Sequence, residues 1–305
     1  MGKQTIQPKE TRKKARVIRM QRERAPKLKE NTKSSLVLRG NKTSQIIFEA
    51  LKDIHRVKNP HSRMLSRNND IHPFEDESKM EFLCEKNDCS LFAFGSHNKK
   101  RPHNLVLGRT YDGRLLDMFE LGVEKFKSVV ETKAKAPKRI GSKPCIVFQG
   151  DEWEVEGPLK SLKNLLLDFF RGDEVDSVAL PGLDHVMACT AVGGKVYLRH
   201  YHIAFKKSGG KIPRVQLEST GPSLDLVLRR SKLPSPDLWR AACKQPKQLR
   251  PKKVKNVTKN EMGDKVGRIH LGRQDLSSMK VKKVKALRET PAEKKRKLGE
   301  ENNGT

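Results

Sequence analysis

Two short stretches decide how this chain reads: Ser35-Leu-Val-Leu-Arg-Gly40 (SLVLRG) and Pro144-Cys-Ile-Val-Phe-Gln-Gly150 (PCIVFQG). Each is an apolar run closed by a polar residue and a glycine, the pattern of a buried strand ending in a turn. Working outward from the first, Ile46, Ile47, Ala50, Leu51 and Ile54 recur at helical spacing, with Thr43 or Ser44 as N-cap and Asn59-Pro60 as the stop. A polar loop over 58–75 and a short helix over 79–86 follow. Cys89 to Phe94 and Asn104 to Thr110 read as paired strands around a basic turn, and Leu115 to Val123 as the next strand. Working outward from the second run, Leu159, Leu162, Leu165, Leu166, Phe169 and Phe170 make another amphipathic helix ending at Arg171-Gly172. Val186–Val192, Gly193-Gly194 and Lys195–His200 form a hairpin. Strands at 203–207 and 215–218, the Gly221-Pro222 break and a short 224–228 segment complete the pattern. Strand, helix, hairpin and closing strands thus occur twice, on either side of the basic Ala/Pro stretch 133–141. The chain reads as α/β with a duplicated core: halves 31–132 and 142–228 and a linker at 133–141.

Charge separates this core from its flanks. The 305 residues carry 65 Lys+Arg against 36 Asp+Glu, a net +29. Residues 1–30 hold 11 basic and 3 acidic residues, and 229–305 hold 23 and 8, so these arms carry +23 and the 31–228 core only +6. Fifteen of the 16 aromatics lie in the core, Trp239 being the exception. The arms therefore cannot bury much apolar surface and read as basic, flexible and partly disordered. Their charge calls for a polyanion, with nucleic acid the default. With few aromatics to stack on bases, the arms should bind phosphates, adding affinity that falls steeply with salt and reads little sequence.

Other classes find little support. No apolar run reaches the roughly 18 residues of a membrane-spanning helix, and the N-terminus lacks the apolar core of a signal peptide. The five cysteines are odd in number and scattered, the pattern of reduced thiols. Gly40-Asn-Lys-Thr43 lacks the upstream glycine of a phosphate loop. Cys84 and Cys89 have no second pair at zinc-finger spacing, and His200 and His202 no ligand companions, so no metal or cofactor is expected. The acidic groups at 75–77 and 151–156 read as solvated and able to accept contacts from basic segments, Cys145 and Cys189 as small core residues, and Phe92 and Phe94 as core rather than an RNA platform. No nucleophile–base set emerges, and the chain does not read as an enzyme.

The candidate RNA-binding residues are basic. Arg39 and Lys42 flank a strand-to-helix junction, where free backbone N–H groups favour anions. Lys99, Lys100 and Arg101 crown the first hairpin, with Arg109 and Arg114 on its strands. Lys138 and Arg139 lie in the linker, and Arg199, Lys206 and Lys207 in the second half. In the C-terminal extension the candidates are Lys252, Lys253, Lys255, Arg268, Arg273, Lys282, Lys283 and Lys285. Lys294, Lys295, Arg296 and Lys297 form a nuclear-targeting cluster.

Several segments carry a resemblance: KTSQIIFEALKDIHRVKNPHSRMLSRNNDIHPFED (42–76), SLFAFGSHNKKRPHNLVLGRTYDG (90–113), FQGDEWE (148–154), ESTGPSLDLVLRR (218–230) and GDKVGRIHLGRQDLSSMKVKKVKALR (263–288). With these, the chain resembles the Brix-domain family of ribosome-assembly proteins over most of 25–290. The resemblance implies a Brix domain of two similar α/β halves, each like the anticodon-binding domain of class II synthetases, between basic arms. It also implies a non-enzymatic nucleolar role in assembly of the 60S subunit. The expected partners are 5S rRNA, pre-rRNA, the regulator of ribosome synthesis as heterodimer partner, the two ribosomal proteins of the 5S particle, and the pre-60S particle. Two alternatives stand beside it: a Brix protein of another assembly step, and a basic chromatin or DNA-binding protein.

Overall fold

The computed structural model describes residues 15–301, apart from 26, 133–137, 156, 176, 180, 181, 211, 251–253 and 273–288. The first half of the core comprises β1 (Ser35–Gly40), α2 (Gln45–Lys58), β2 (Ser62–Asn69), α3 (Ser78–Asn87), β3 (Leu91–Ser96), β4 (Asn104–Tyr111) and β5 (Arg114–Lys127), preceded by a basic helix α1 (Ala15–Arg24). A one-turn helix, α4 (Val129–Thr132), follows β5. The second half comprises β6 (Cys145–Gln149), α5 (Pro158–Phe170), β7 (His185–Val192), β8 (Lys195–Lys206) and β9 (Arg214–Lys232), and α6 (Pro236–Ala242) comes after it.

The duplication is visible in the strand order. In the first half the chain passes from β1 through α2, the edge strand β2 and α3 to β3, a parallel neighbour of β1, and β4 and β5 continue antiparallel. In the second, β6 is joined through α5 to parallel β7, and β8 and β9 continue antiparallel. The last strands of the two halves pair with each other, from Met118↔Lys232 to Lys127↔Ser223. One nine-stranded sheet results, in the order β2-β1-β3-β4-β5-β9-β8-β7-β6.

Both long helices share one core. Ile47, Ala50, Leu51, Ile54 and Val57 of α2 join Leu162, Leu165, Leu166, Phe169 and Phe170 of α5 over Leu107, Phe119, Leu121, Leu198 and Leu224 of the sheet. Ser44 caps α2, its Oγ accepting from the Ile47 N–H at 3.4 Å. Ile46, expected on the apolar face, is 40% exposed. Gly95 sets how closely α2 approaches: a Cβ there would lie 2.3 Å from Ile47 Cγ2 and 2.8 Å from a Leu51 methyl. On the other side of the sheet, Met80 and Cys84 of α3 cover Leu36, Leu38, Phe92, Phe94 and Met118.

Several expectations need correcting. The stretch 58–75 is not all loop, because Ser62–Asn69 pairs parallel with β1 as an edge strand whose side chains are mostly half-buried or exposed. The strands expected at 195–200 and 203–207 are one strand, and so are those at 215–218 and 224–228. A shift of register between Arg199 and Tyr201 absorbs the residues around Gly221. β9 also continues four residues past 228, and the compact unit runs to Leu249. Residues 250–305 form a separate unit with a small hairpin of β10 (Val257–Lys259) and β11 (Lys265–Gly267) and a helix α7 (Pro291–Glu301).

The two opening stretches differ by one residue in phase. In β1, Leu36, Val37 and Leu38 are all fully buried, Val37 toward α2 and the leucines toward α3. In β6, Ile146 and Phe148 pack toward α5, while Val147 faces outward and is 36% exposed. When the two runs are aligned on their glycines, equivalent side chains point to opposite faces, as a slip of one residue in a strand requires.

The second half also buries two imidazoles, His185 and His200, with ring centroids 5.0 Å apart. His200 Nδ1 donates to the Gly221 carbonyl at 2.8 Å. Burial first, then the neighbouring His185, pushes the His200 pKa down to about 4. Its ordinary value is near 6.5, so between these two values the unfolded chain binds the extra proton. This contribution is fully present above pH 6.5 and is lost as the pH falls through the window from 6.5 to 4. Urea unfolding at pH 7 and pH 5 should show a loss of about 2 kcal/mol from this group. The His200→Gln variant should lack that part of the pH slope.

Candidate nucleic-acid interface

The junction between β1 and α2 is fixed by short-range hydrogen bonds. Thr43 Oγ1 donates to the carbonyls of Gly40 at 3.0 Å and Gly95 at 3.3 Å. The turn 97–103 between β3 and β4 is tied to the same place. The His97 N–H donates to the Lys42 carbonyl at 2.8 Å, and Ser44 Oγ lies 2.9 Å from His103 Nδ1. Burial, then the neighbouring charges of His97 and Arg229, hold the His103 pKa below its ordinary value, so the neutral ring can accept the serine hydroxyl. Asn98 closes the turn, its side chain accepting from the Arg101 N–H at 2.6 Å.

The second half steadies this turn from across the sheet. Arg229 on β9 reaches over β5 to donate to the Pro102 carbonyl at 2.8 Å and to Asn104 at 3.2 Å. Gly122 makes the crossing possible, because a Cβ there would sit 2.5 Å from the guanidinium.

The result is a basic rim at the ends of β1, β3 and β5. Lys42, Lys99 and Lys100 are all exposed there. Lys125 and Lys127 on the adjacent end of β5 are exposed too. The sequence analysis missed these two because they lie beyond the apolar part of β5. Arg101 is less available, as it lies 3.6 Å from the buried Glu120. Arg39 flanks the rim but is already used: it donates to the Ser66 carbonyl at 3.0 Å and lies 4.6 Å over the Phe48 ring.

Other candidates point inward. Arg109 is a correction: its side chain is only 6% exposed and is held by carboxylates. It makes two bonds to Asp117, at 2.8 and 2.7 Å, and further bonds to Asn164 and Asp168 on α5. Trp239 of α6 lies 5.3 Å from its guanidinium. Burial favours a neutral Asp168, but its bonds to Lys33 and Arg109 outweigh this and hold its pKa below the ordinary value. Arg109 thus couples the two halves, with four of its five N–H groups engaged and the side chain turned away from solvent. Lys138 is also turned inward, donating to the Val57 carbonyl, and burial lowers its pKa. Arg199 pairs with Asp225 at 2.5 Å and donates to the Leu224 carbonyl at 2.9 Å.

The remaining candidates are scattered. Arg114 is exposed at the opposite end of β4 and β5, Arg139 is exposed near Asp184, and Lys206 and Lys207 are exposed at the far end of β8. Lys255, Arg268 and Lys294, Lys295, Arg296 and Lys297 are exposed in the C-terminal unit. Lys252, Lys253, Arg273, Lys282, Lys283 and Lys285 lie outside the described residues.

The carboxylates expected to be solvated are partly structural. Glu152 caps the second hairpin, accepting from the Gly193 N–H at 2.6 Å, and Glu154 binds Lys163 at 2.5 Å. Three thiols are buried, and burial is the main cause that pushes Cys84 up to about 12, Cys89 to about 11 and Cys189 to about 12. Among the described residues, no group of three or more His, Cys, Asp or Glu could hold a metal ion.

Comparison with known proteins places the chain. The family model described as the Brix domain matches residues 40–230. The mouse protein "Ribosome production factor 2 homolog" is 47% identical over 254 residues, 83% of this chain and 82% of that one. The Schizosaccharomyces pombe protein of the same name is 40% identical over 298 residues, 95% of this chain and 94% of that one. A crystal structure of a probable ribosomal biogenesis protein from Aeropyrum pernix K1 aligns with a TM-score of 0.44 at 12% identity, covering 67% of this chain and 99% of that one.

Two variants separate the surface from the interior. Lys42→Ala, Lys99→Ala and Lys100→Ala together should lower the slope of log affinity against log salt for single-stranded RNA by about 2, from three lost phosphate contacts. Unfolding of that triple variant should match the parent. Arg109→Ala should do the reverse, costing about 3–5 kcal/mol in denaturant unfolding because it leaves the buried Asp117 carboxylate without its cation, with the RNA salt slope unchanged in the folded fraction.

Proposed function

The chain belongs to the Brix-domain family, and from this premise we propose that it is an assembly factor of the large ribosomal subunit that binds rRNA without catalysing a reaction. Its site of action in this reading is the nucleolus. It recruits the 5S rRNA particle, with its two ribosomal proteins, into the pre-60S particle and supports pre-rRNA maturation. The heterodimer partner is the regulator of ribosome synthesis.

The observation that carries the RNA-binding part is the basic rim of Lys42, Lys99 and Lys100, held in place by a hydrogen-bonded turn. A rigid turn presents these ammonium groups at fixed spacing, which positions a folded RNA, whereas the arms add phosphate affinity without geometry. The relatives named as ribosome production factors support the choice of ribosomal RNA over other polyanions. A protein partner has surface available in the second half, where Val147, Tyr197 and Tyr201 are incompletely buried on the sheet face away from α5.

The division of labour is open to a direct test. Residues 250–305 hold 17 basic and 7 acidic residues, a net +10, and form their own unit. Removing them should flatten the salt dependence of 5S rRNA binding while the complex with the protein partner survives size-exclusion chromatography. An unchanged salt slope would show that the compact unit alone supplies the phosphate contacts. Purification of the tagged full chain from nuclear extract, with sequencing of its RNA, distinguishes 5S rRNA from the U3 RNA expected of a small-subunit factor.

A further inference from the structure

One surface runs against the charge of the whole chain. Residues 70–88 contain seven carboxylates (Asp70, Glu75, Asp76, Glu77, Glu81, Glu85 and Asp88) against Lys79 and Lys86, a net −5 in a chain of +29. Part of this charge is structural: Glu77 pairs with Lys232, Glu81 accepts from the Leu115 N–H at 2.7 Å, and Asp88 lies 3.9 Å from Arg24. Glu75 and Glu85 are exposed and pair with no basic side chain among the described residues.

The same segment opens a groove of about 400 Å³ between the end of β2 and α3. Ile71, Phe82 and Leu83 supply its apolar lining and Asp70 its polar edge. Phe82 is 56% exposed although it lies on a helix whose other face is buried in the core. Lys79, the basic residue in the lining, is occupied in donating to the Asp70 carbonyl at 3.1 Å. Lys86 lies 5.3 Å from the Phe82 ring, showing that a cation is accommodated on it.

An exposed aromatic in a nucleic-acid-binding protein suggests base stacking, but the charge decides otherwise. Stacking platforms combine aromatics with a positive groove, whereas a phosphate here would face unpaired carboxylates. Charge complementarity instead selects a cationic ligand, and the apolar lining selects one with a large apolar side chain beside its charges.

We propose that this groove docks a basic amphipathic segment of a protein partner, one apolar side chain entering between Ile71, Phe82 and Leu83 while flanking arginines or lysines meet Asp70, Glu75 and Glu85. The surface adjoins the basic rim, Asn41 donating to Asp70 at 3.1 Å, but shares no cation with it, and the inference does not rest on the RNA-binding reading.

The test uses the full chain and two labelled synthetic peptides of equal charge: an amphipathic arginine–leucine helix, and the same peptide with serine for every leucine. Fluorescence anisotropy at physiological salt should show at least tenfold preference for the leucine peptide. Phe82→Ser should abolish that preference, and Glu75→Lys with Glu85→Lys should weaken binding of the leucine peptide at least tenfold. RNA affinity should hold in Phe82→Ser. All three positions are exposed, so thermal unfolding should match the parent; if Phe82→Ser fails this check, the glutamate variant carries the test. Leucine-peptide affinity unchanged in the glutamate variant, or in a normally folded Phe82→Ser, overturns the proposal. So does loss of RNA binding in a normally folded Phe82→Ser, which would make the groove a nucleic-acid platform. Tighter peptide binding after removal of residues 1–24 would also overturn it, by showing that the chain's own basic helix fills the groove.

Discussion

The pairing of β5 with β9 is the constraint on which the rest of the structure depends. Either half alone would end its sheet in a long strand with unsatisfied backbone groups, an edge that invites aggregation. Joining the two removes both edges and places α2 and α5 side by side on one face, where they share a core. The pairing also lets side chains act across the junction. Arg229 holds the basic turn of the other half through the gap left by Gly122. Arg109, from the first half, meets Asp168 and Asn164 on the helix of the second. The geometry of the basic rim is therefore set partly by residues of the half that does not carry it.

Much of this architecture was legible because apolar periodicity reports burial directly. The helices over 45–58 and 158–170 and the Gly193-Gly194 hairpin follow from spacing and turn chemistry alone. The edge strand β2 was not legible. SRMLSRNN has neither an apolar run nor alternation, and it forms a strand because β1 offers a free edge that only the folded sheet reveals. The reading of SLVLRG and CIVFQG as equivalent was sound for topology but could not fix phase. Three consecutive apolar residues fit either face of a sheet, and what differs is whether a helix covers the second face. In the first half α3 does so.

Site residues were harder to read, for an electrostatic reason. A basic residue on a strand carries the same letter whether it meets solvent or a buried carboxylate. Arg109 gave a faint signal, standing in the otherwise apolar run NLVLG and followed by Asp117 on the next strand, but its second partner, Asp168, is 59 residues away. Lys138 and Arg199 ended up serving backbone carbonyls for the same reason: a partly buried cation needs acceptors, and in a compact domain carbonyls are the nearest ones. Lys99 and Lys100 stay exposed because they crown a tight turn, where few acceptors can surround them.

This competition explains the split between core and arms. A compact unit cannot leave cations buried and unpaired, so its interior cations either take carboxylate partners or spend their donors on the backbone. The 31 basic residues of the core face 25 acidic ones, and several of each are consumed in pairs across the halves, Lys33 and Arg109 with Asp168 and Lys195 with Glu124. Few remain for phosphate, and those few stand on rigid turns. A protein that needs both a defined RNA orientation and strong phosphate affinity must therefore place most of its charge where no packing competes for it. The basic arms supply that charge, and adding it to the core instead would strain the pairing of β5 with β9.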